Sequence, residues 1–232
     1  LRAQILYYLG ENLSIRADEF AQRISEMTGQ DSKESKEEVK LSIERLFTYA
    51  GWADKYDGAV HGAPIRGVAL AMKEPVGTIG IICPDALPLL GLISLIAPAL
   101  SMGNTCVVVP SEPFPLSATD LYQVFETSDL PSGVVNLVTA RHGEVIESLS
   151  GHMDLDAVWY FGSSGLSATV EKLSTTNLKR TWLNHGKDRN WMDHKQGEGK
   201  DFLIQSTEVK NIWIPYGAVS YTHLRAHETT DN

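Results

Sequence analysis

Apolar positions in this chain fall into successive patterns. Over residues 1–52 they recur at helical spacing: Ile5, Leu6 and Leu9 ahead of Gly10, a second helix from Ser14 to Met27, and the face Val39, Ile43, Leu46, Phe47 and Ala50. Thr28-Gly29-Gln30 stops the second helix, and the charge run 31–38 reads as the solvated start of the third. Glycines and Pro64 then mark turns, and residues 68–72 alternate as a strand of a small hairpin, a candidate edge or subunit-contact strand.

From residue 76 the pattern changes to continuous apolar runs. Residues 76–82 read as a strand, Pro84 to Pro88 as a turn, residues 89–102 as a buried helix stopped by Gly103-Asn104, and residues 106–109 as a second strand. Strands without polar alternation are covered on both faces, which implies a parallel sheet with helices on each side. The alternation continues: helix 115–127, strand 134–138, helix 142–149, strand 157–161, then Gly162-Ser163-Ser164-Gly165 opening a helix to about Leu173. The predicted class is α/β, a doubly wound, Rossmann-like parallel sheet behind an N-terminal helical layer. Periodicity stops over residues 187–200, which read as an exposed loop, while residues 202–204 and 209–214 read as short strands.

This gives an expected division into a helical layer (1–57), a hairpin (58–75), a Rossmann-like cofactor-binding domain (76–186), a loop with terminal strands (187–217) and a polar tail (218–232). The tail resembles translated cloning or adapter sequence and is set aside as non-native. Its His223 and His227 sit at helical spacing, but accidental spacing is the better reading and no metal site is expected. Leu1 at the start, with the first residues already in a helical pattern, is expected of a fragment.

Composition narrows the chemistry. Twenty Lys and Arg against 29 Asp and Glu give a formal net charge of -9, which argues against nucleic acid and anionic lipid as partners. The apolar run 79–100 is interrupted by Asp85 and prolines and reads as core rather than as a membrane span. Two cysteines, Cys83 and Cys106, lie in apolar stretches and make no CxxC pair, which fits a reducing, cytoplasmic compartment.

The motifs LFTYAGWADKYDG, EPVGTIG, IAPAL, MGNT, PLSA, LPSGVVN and the turn Gly162-Ser163-Ser164 occur in the order and spacing of the aldehyde dehydrogenase superfamily, which the chain resembles over residues 1–187. More narrowly it is similar to the second, incomplete unit of the two-unit family sixteen proteins, and its ending FLIQSTEVKNIWIPYG resembles that subfamily's terminus. The resemblance implies NAD(P) as cofactor and a site built from a thiolate nucleophile, a general base and an oxyanion donor. Carried over residue by residue, the oxyanion asparagine falls on Ala86, beside Asp85, and the general-base glutamate falls on Asn184, beside His185. No cysteine follows Cys106, so no catalytic residue is assigned. Toward the cofactor, Glu112 keeps the ribose position, Val109 replaces its lysine partner, and Gly162 and Ser163 match the phosphate-side turn.

Three functions are carried forward. The leading one is a catalytically inactive domain of this family, a structural, dimerisation or interaction module whose partner is a second copy or an upstream aldehyde dehydrogenase unit of the same protein. The second is part of an active NAD(P)-dependent enzyme oxidising aldehydes to carboxylic acids. The third is a cofactor sensor resting on Glu112 and Ser163.

Overall fold

In the computed structural model the described residues are 1–64 and 66–215; the tail 218–232, with His223 and His227, lies outside them. Three helices open the chain, α1 (Arg2–Ile15), α2 (Ala17–Thr28) and α3 (Ser32–Trp52). Gly29 in the left-handed region closes α2, and Asp31 caps α3 by accepting the Lys33 and Glu34 backbone N–H groups at 2.8 Å. A hairpin of β1 (Ala59–Gly62) and β2 (Gly67–Pro75) follows. Next come β3 (Thr78–Ile82), α4 (Pro88–Met102), β4 (Thr105–Val109), α5 (Leu116–Glu126), β5 (Val135–Leu137), α6 (His142–Gly151), β6 (Ala157–Tyr160), α7 (Ser164–Ser174) and β7 (Arg180–Leu183). Then α8 (His194–Gly197), α9 (Lys200–Gln205) and β8 (Thr207–Pro215) complete the described chain.

Strands β3 to β7 form one sheet in the order β5-β4-β3-β6-β7, with every neighbouring pair parallel. The two faces of β3 explain the layers. Ile79 and Ile81 join the core under α4, whose residues are buried all round because α1 and α3 cover its outer side. Gly80 and Ile82 face the other way, toward Leu149, Leu155, Ile146 and Val170 beneath α6 and α7. The architecture is therefore α/β, a Rossmann-like parallel sheet with helices on both faces.

The chain clusters into two units. One comprises Leu1–Tyr56 and Glu74–Glu208 and contains the five-stranded sheet with its helices; the other takes Asp57–Lys73 and the chain from Val209, around the sheet β1-β2-β8.

Several sequence expectations are corrected. The stretch 68–72 belongs to β2, the middle strand of its sheet, so the edges are β1 and β8. Residues 202–204 are helical, in α9: Phe202 and Leu203 are buried while Ile204 is 48% exposed, the spacing of one helix face rather than a strand. The stretch 187–200 is not simply an exposed loop, since Trp191 and Gly197 are buried and Asp193 caps α8. Arg45, itself 1% exposed, binds this segment through the carbonyls of Gly197 and Trp191 (2.6 Å to Trp191) and ion-pairs with Glu198 at 3.3 Å. Burial lowers the Arg45 pKa, with Glu198 acting in the opposite direction. Finally, Glu38 in the charge run is fully buried rather than solvated.

Candidate active site

The strand order reverses between β3 and β6, and in open parallel sheets the crevice at that switch point, beyond the carboxyl ends of the strands, is where ligands bind. Three turns converge there. Cys83 and Pro84 leave β3 buried, and Asp85 and Ala86 emerge from the surface. Leu87, at φ 52°, then reverses the chain into α4. After β6 come Phe161, Gly162 and Ser163; after β7 come Asn184, His185 and Gly186.

A cavity of about 440 Å³ is bounded by Ala86, Gly162, Ser163 and Asn184 together with Asp85 and Arg189. Four of the five residues singled out by sequence thus meet in one place. Glu112 is not among them; it lines a second cavity of about 530 Å³ with Ser111, Thr139 and Arg141. Asp85 lines both cavities, and its Oδ1 accepts the Glu112 backbone N–H at 3.0 Å.

Backbone geometry fixes these side chains. Gly186, at φ 70°, lets the turn after β7 pass close to α7, where an added Cβ would stand 2.5 Å from Ser164 Cβ. The Asn184 amide is occupied within its own turn, accepting the Gly186 N–H at 3.3 Å and donating to the Lys187 carbonyl at 3.3 Å. His185 turns away, with Nε2 at 3.7 Å from Glu171, and lines a third cavity of about 360 Å³ shared with Lys187, Arg189 and Lys195. Ser163 precedes α7 without capping it, and the Tyr160 hydroxyl donates to its carbonyl at 2.9 Å. The Glu112 carboxylate accepts the His142 N–H at the start of α6 at 2.9 Å, and His142 Nε2 lies 3.0 Å from the Pro110 carbonyl. Val109, at the end of β4, is buried.

Neither thiol is poised for attack. Cys83 and Cys106 are both 0% exposed, burial pushes the Cys83 thiol far above its ordinary value, and Cys106 is pushed up to about 12 for the same reason. Among the described residues no cluster of three His, Cys, Asp or Glu side chains is arranged to hold a metal ion, and no helix is long and apolar enough to cross a membrane. Sequence reading missed Lys187 and Arg189, which line the crevice from the segment read as a loop. Two further basic side chains in a stretch without periodicity carry no distinguishing signal.

A doubly wound sheet with a crevice between β3 and β6 defines a Rossmann-like class of fold. Comparison with known proteins narrows it. A profile of the aldehyde dehydrogenase family matches residues 1–192. The chain is 33% identical over 187 residues to the NADP/NAD-dependent aldehyde dehydrogenase PuuC of Escherichia coli (strain K12), covering 80% of this chain and 38% of that protein. It is 38% identical over 150 residues to an aldehyde dehydrogenase of Agaricus bisporus, covering 64% of this chain and 30% of that one. Among solved structures, betaine aldehyde dehydrogenase of Staphylococcus aureus in complex with NAD+ superposes with a TM-score of 0.75 at 28% identity, covering 78% of this chain and 36% of that one. The chain belongs to the aldehyde dehydrogenase family, and it spans about a third of the length of these relatives.

Proposed function

We propose that this chain is a catalytically inactive aldehyde dehydrogenase-family domain, a structural, dimerisation or interaction module of a larger cytoplasmic protein. The form it most resembles is the second, incomplete unit of family sixteen proteins. One observation carries this reading. In the switch-point crevice the turns after β3 and β7 contribute Ala86, which has no donor, and Asn184, whose amide cannot take up a proton and is spent on its own turn. Asp85, next to Ala86 in the same lining, adds a carboxylate that would oppose rather than stabilise a developing oxyanion.

NAD(P) is the cofactor suggested by the NADP/NAD-dependent relative from Escherichia coli and by the NAD+ complex of the Staphylococcus aureus structure. Glu112 would accept ribose hydroxyls, and the backbone at Gly162 and Ser163, at the start of α7, would meet a phosphate. The fit is partial: Val109 supplies no donor, and Asp85 stands between the two cavities. The expected affinity is millimolar or weaker by calorimetry. The exposed edge strands support the interaction role, with Val60 70% exposed on β1 and Val209 49% and Trp213 59% exposed on β8. The partner is a second copy or an upstream unit of the same protein.

The test is an assay of the purified chain for NAD+- or NADP+-dependent oxidation of aldehydes and for hydrolysis of an activated ester. No turnover above the blank is expected. Turnover that disappears in Cys83→Ala would overturn the reading.

A further inference from the structure

Four aromatic side chains close into a ring beside the crevice: Phe161 after β6, Trp182 in β7, Phe202 in α9 and Trp191 ahead of α8. Successive centroids lie 4.9 Å (Phe161 to Trp182), 5.0 Å (Trp182 to Phe202), 6.5 Å (Phe202 to Trp191) and 5.3 Å (Trp191 to Phe161) apart, each pair steeply tilted. The Arg189 guanidinium carbon sits over all four, at 5.4, 5.5, 5.5 and 5.6 Å from Phe161, Trp182, Phe202 and Trp191. Four rings equidistant from one positive carbon make a cation cup. Phe202 lies beyond residues 1–192, so the cup is not confined to the stretch shared with the family profile.

Little else holds the guanidinium there. Its Nη1 donates to the Gln196 carbonyl at 2.6 Å, and among the described residues it forms no ion pair; Asp201 acts on it only at longer range. Burial lowers its pKa, with Asp201 acting in the opposite direction. A guanidinium brings five N–H donors and a primary ammonium three, whereas ring faces offer no lone pair. A quaternary ammonium carries no donor at all, so it is the cation whose chemistry the cup matches. Arg189 also lines both the 440 and the 360 Å³ cavities, so the cup borders open space.

We propose that this cup binds a small quaternary ammonium ligand and that Arg189 is a built-in competitor that fills it when the ligand is absent. The proposal is independent of whether the crevice supports catalysis. The test titrates choline into the full chain at constant ionic strength and follows tryptophan fluorescence, with dimethylbutanol as the uncharged isostere. Choline should bind Arg189→Ala and Arg189→Gln about tenfold or more tighter than the unchanged chain. Dimethylbutanol should not bind comparably, and Trp182→Leu added to Arg189→Gln should abolish the gain. The proposal is overturned if choline binds both Arg189 variants no better than the unchanged chain, if dimethylbutanol binds equally, or if Trp182→Leu leaves binding intact. Circular dichroism reports folding. Arg189→Gln keeps a donor for the Gln196 carbonyl and carries the test if Arg189→Ala unfolds; loss of fold in both would make Arg189 a core residue, not a displaceable occupant, and would also count against the proposal.

Discussion

Glu38 caps a helix on which it does not lie: from α3 its Oε1 accepts the Leu89 backbone N–H at 2.9 Å, and that of Leu90 at 3.2 Å, at the start of α4. Helix α4 has Pro88 in its first turn and no side-chain cap of its own, and buried N–H groups must find acceptors. Removing the carboxylate therefore leaves donors orphaned in the core. Glu38→Ala is expected to cost about 2–4 kcal/mol and Glu38→Gln, which keeps an acceptor, about half of that. Urea unfolding of the three proteins checks the order.

The same residue gives a pH dependence with a defined sign. Burial raises the Glu38 pKa above its ordinary 4.5, outweighing the two backbone N–H groups that pull it down. A folded pKa above the unfolded value means that the contribution is complete below about 4.5 and declines as pH rises through the folded value. The stability advantage over Glu38→Gln should shrink as pH climbs above 4.5. An advantage that instead grows over that range would show that the cap outweighs desolvation.

Arg45 is the pin of the 187–199 segment, and its loss leaves the Glu198 carboxylate, only 15% exposed, without its buried partner. Arg45→Met should destabilise the protein by about 3 kcal/mol. Trypsin should then cut at Lys195 or Lys200 in the native state faster than in the unchanged chain. Equal cleavage rates would mean that the segment is held by its aromatic contacts alone.

At Gly77 the backbone adopts φ 128°, and a Cβ would stand 2.1 Å from Asp156 Oδ2, the atom that accepts the Thr78 N–H at 2.8 Å. Gly77→Ala combines backbone strain with a displaced acceptor. It should cost about 2 kcal/mol or more, read as a lowered Tm.

Both thiols should be silent toward a disulfide reagent at pH 8 until the chain unfolds. Their folded pKa values are raised, so below the ordinary thiol value of 9.0 they remain protonated in the native state. The stability they contribute is complete below 9.0 and for Cys106 is lost as pH rises through about 12. Reaction of one equivalent in the native protein would refute the buried placement.

The central βαβ unit was legible because Ile79, Ile81 and Ile82 and all of α4 but Ser94 and Ser101 lack polar side chains, and the structure covers them on every side. Strand β7 was not, since Arg-Thr-Trp-Leu is short and only half-buried at the sheet edge. At the site, Ala86, Asn184, Gly162 and Ser163 could be placed only through the resemblance to the aldehyde dehydrogenase superfamily, and the structure brings all four to one cavity. Glu38 and Arg45 could not, because their partners lie 51 and up to 152 residues away. A signal did exist: Ser35, Glu38, Ser42, Arg45 and Tyr49 follow helical spacing and are all buried, a polar stripe on the inward face of α3. It was obscured by the surrounding charges, which are solvated as such runs usually are.

The position of β3 at the centre of the sheet also bears on how the protein is made. Thr78 and its partner Asp156 are 78 residues apart, so one side of β3 stays bare while everything between is synthesised. Parallel pairing across such a separation is slow, and a nascent chain halted before β6 would present an isoleucine-rich ribbon to its neighbours. Chaperone engagement during translation, ending once β6 has cleared the ribosome, is the outcome expected of this strand order.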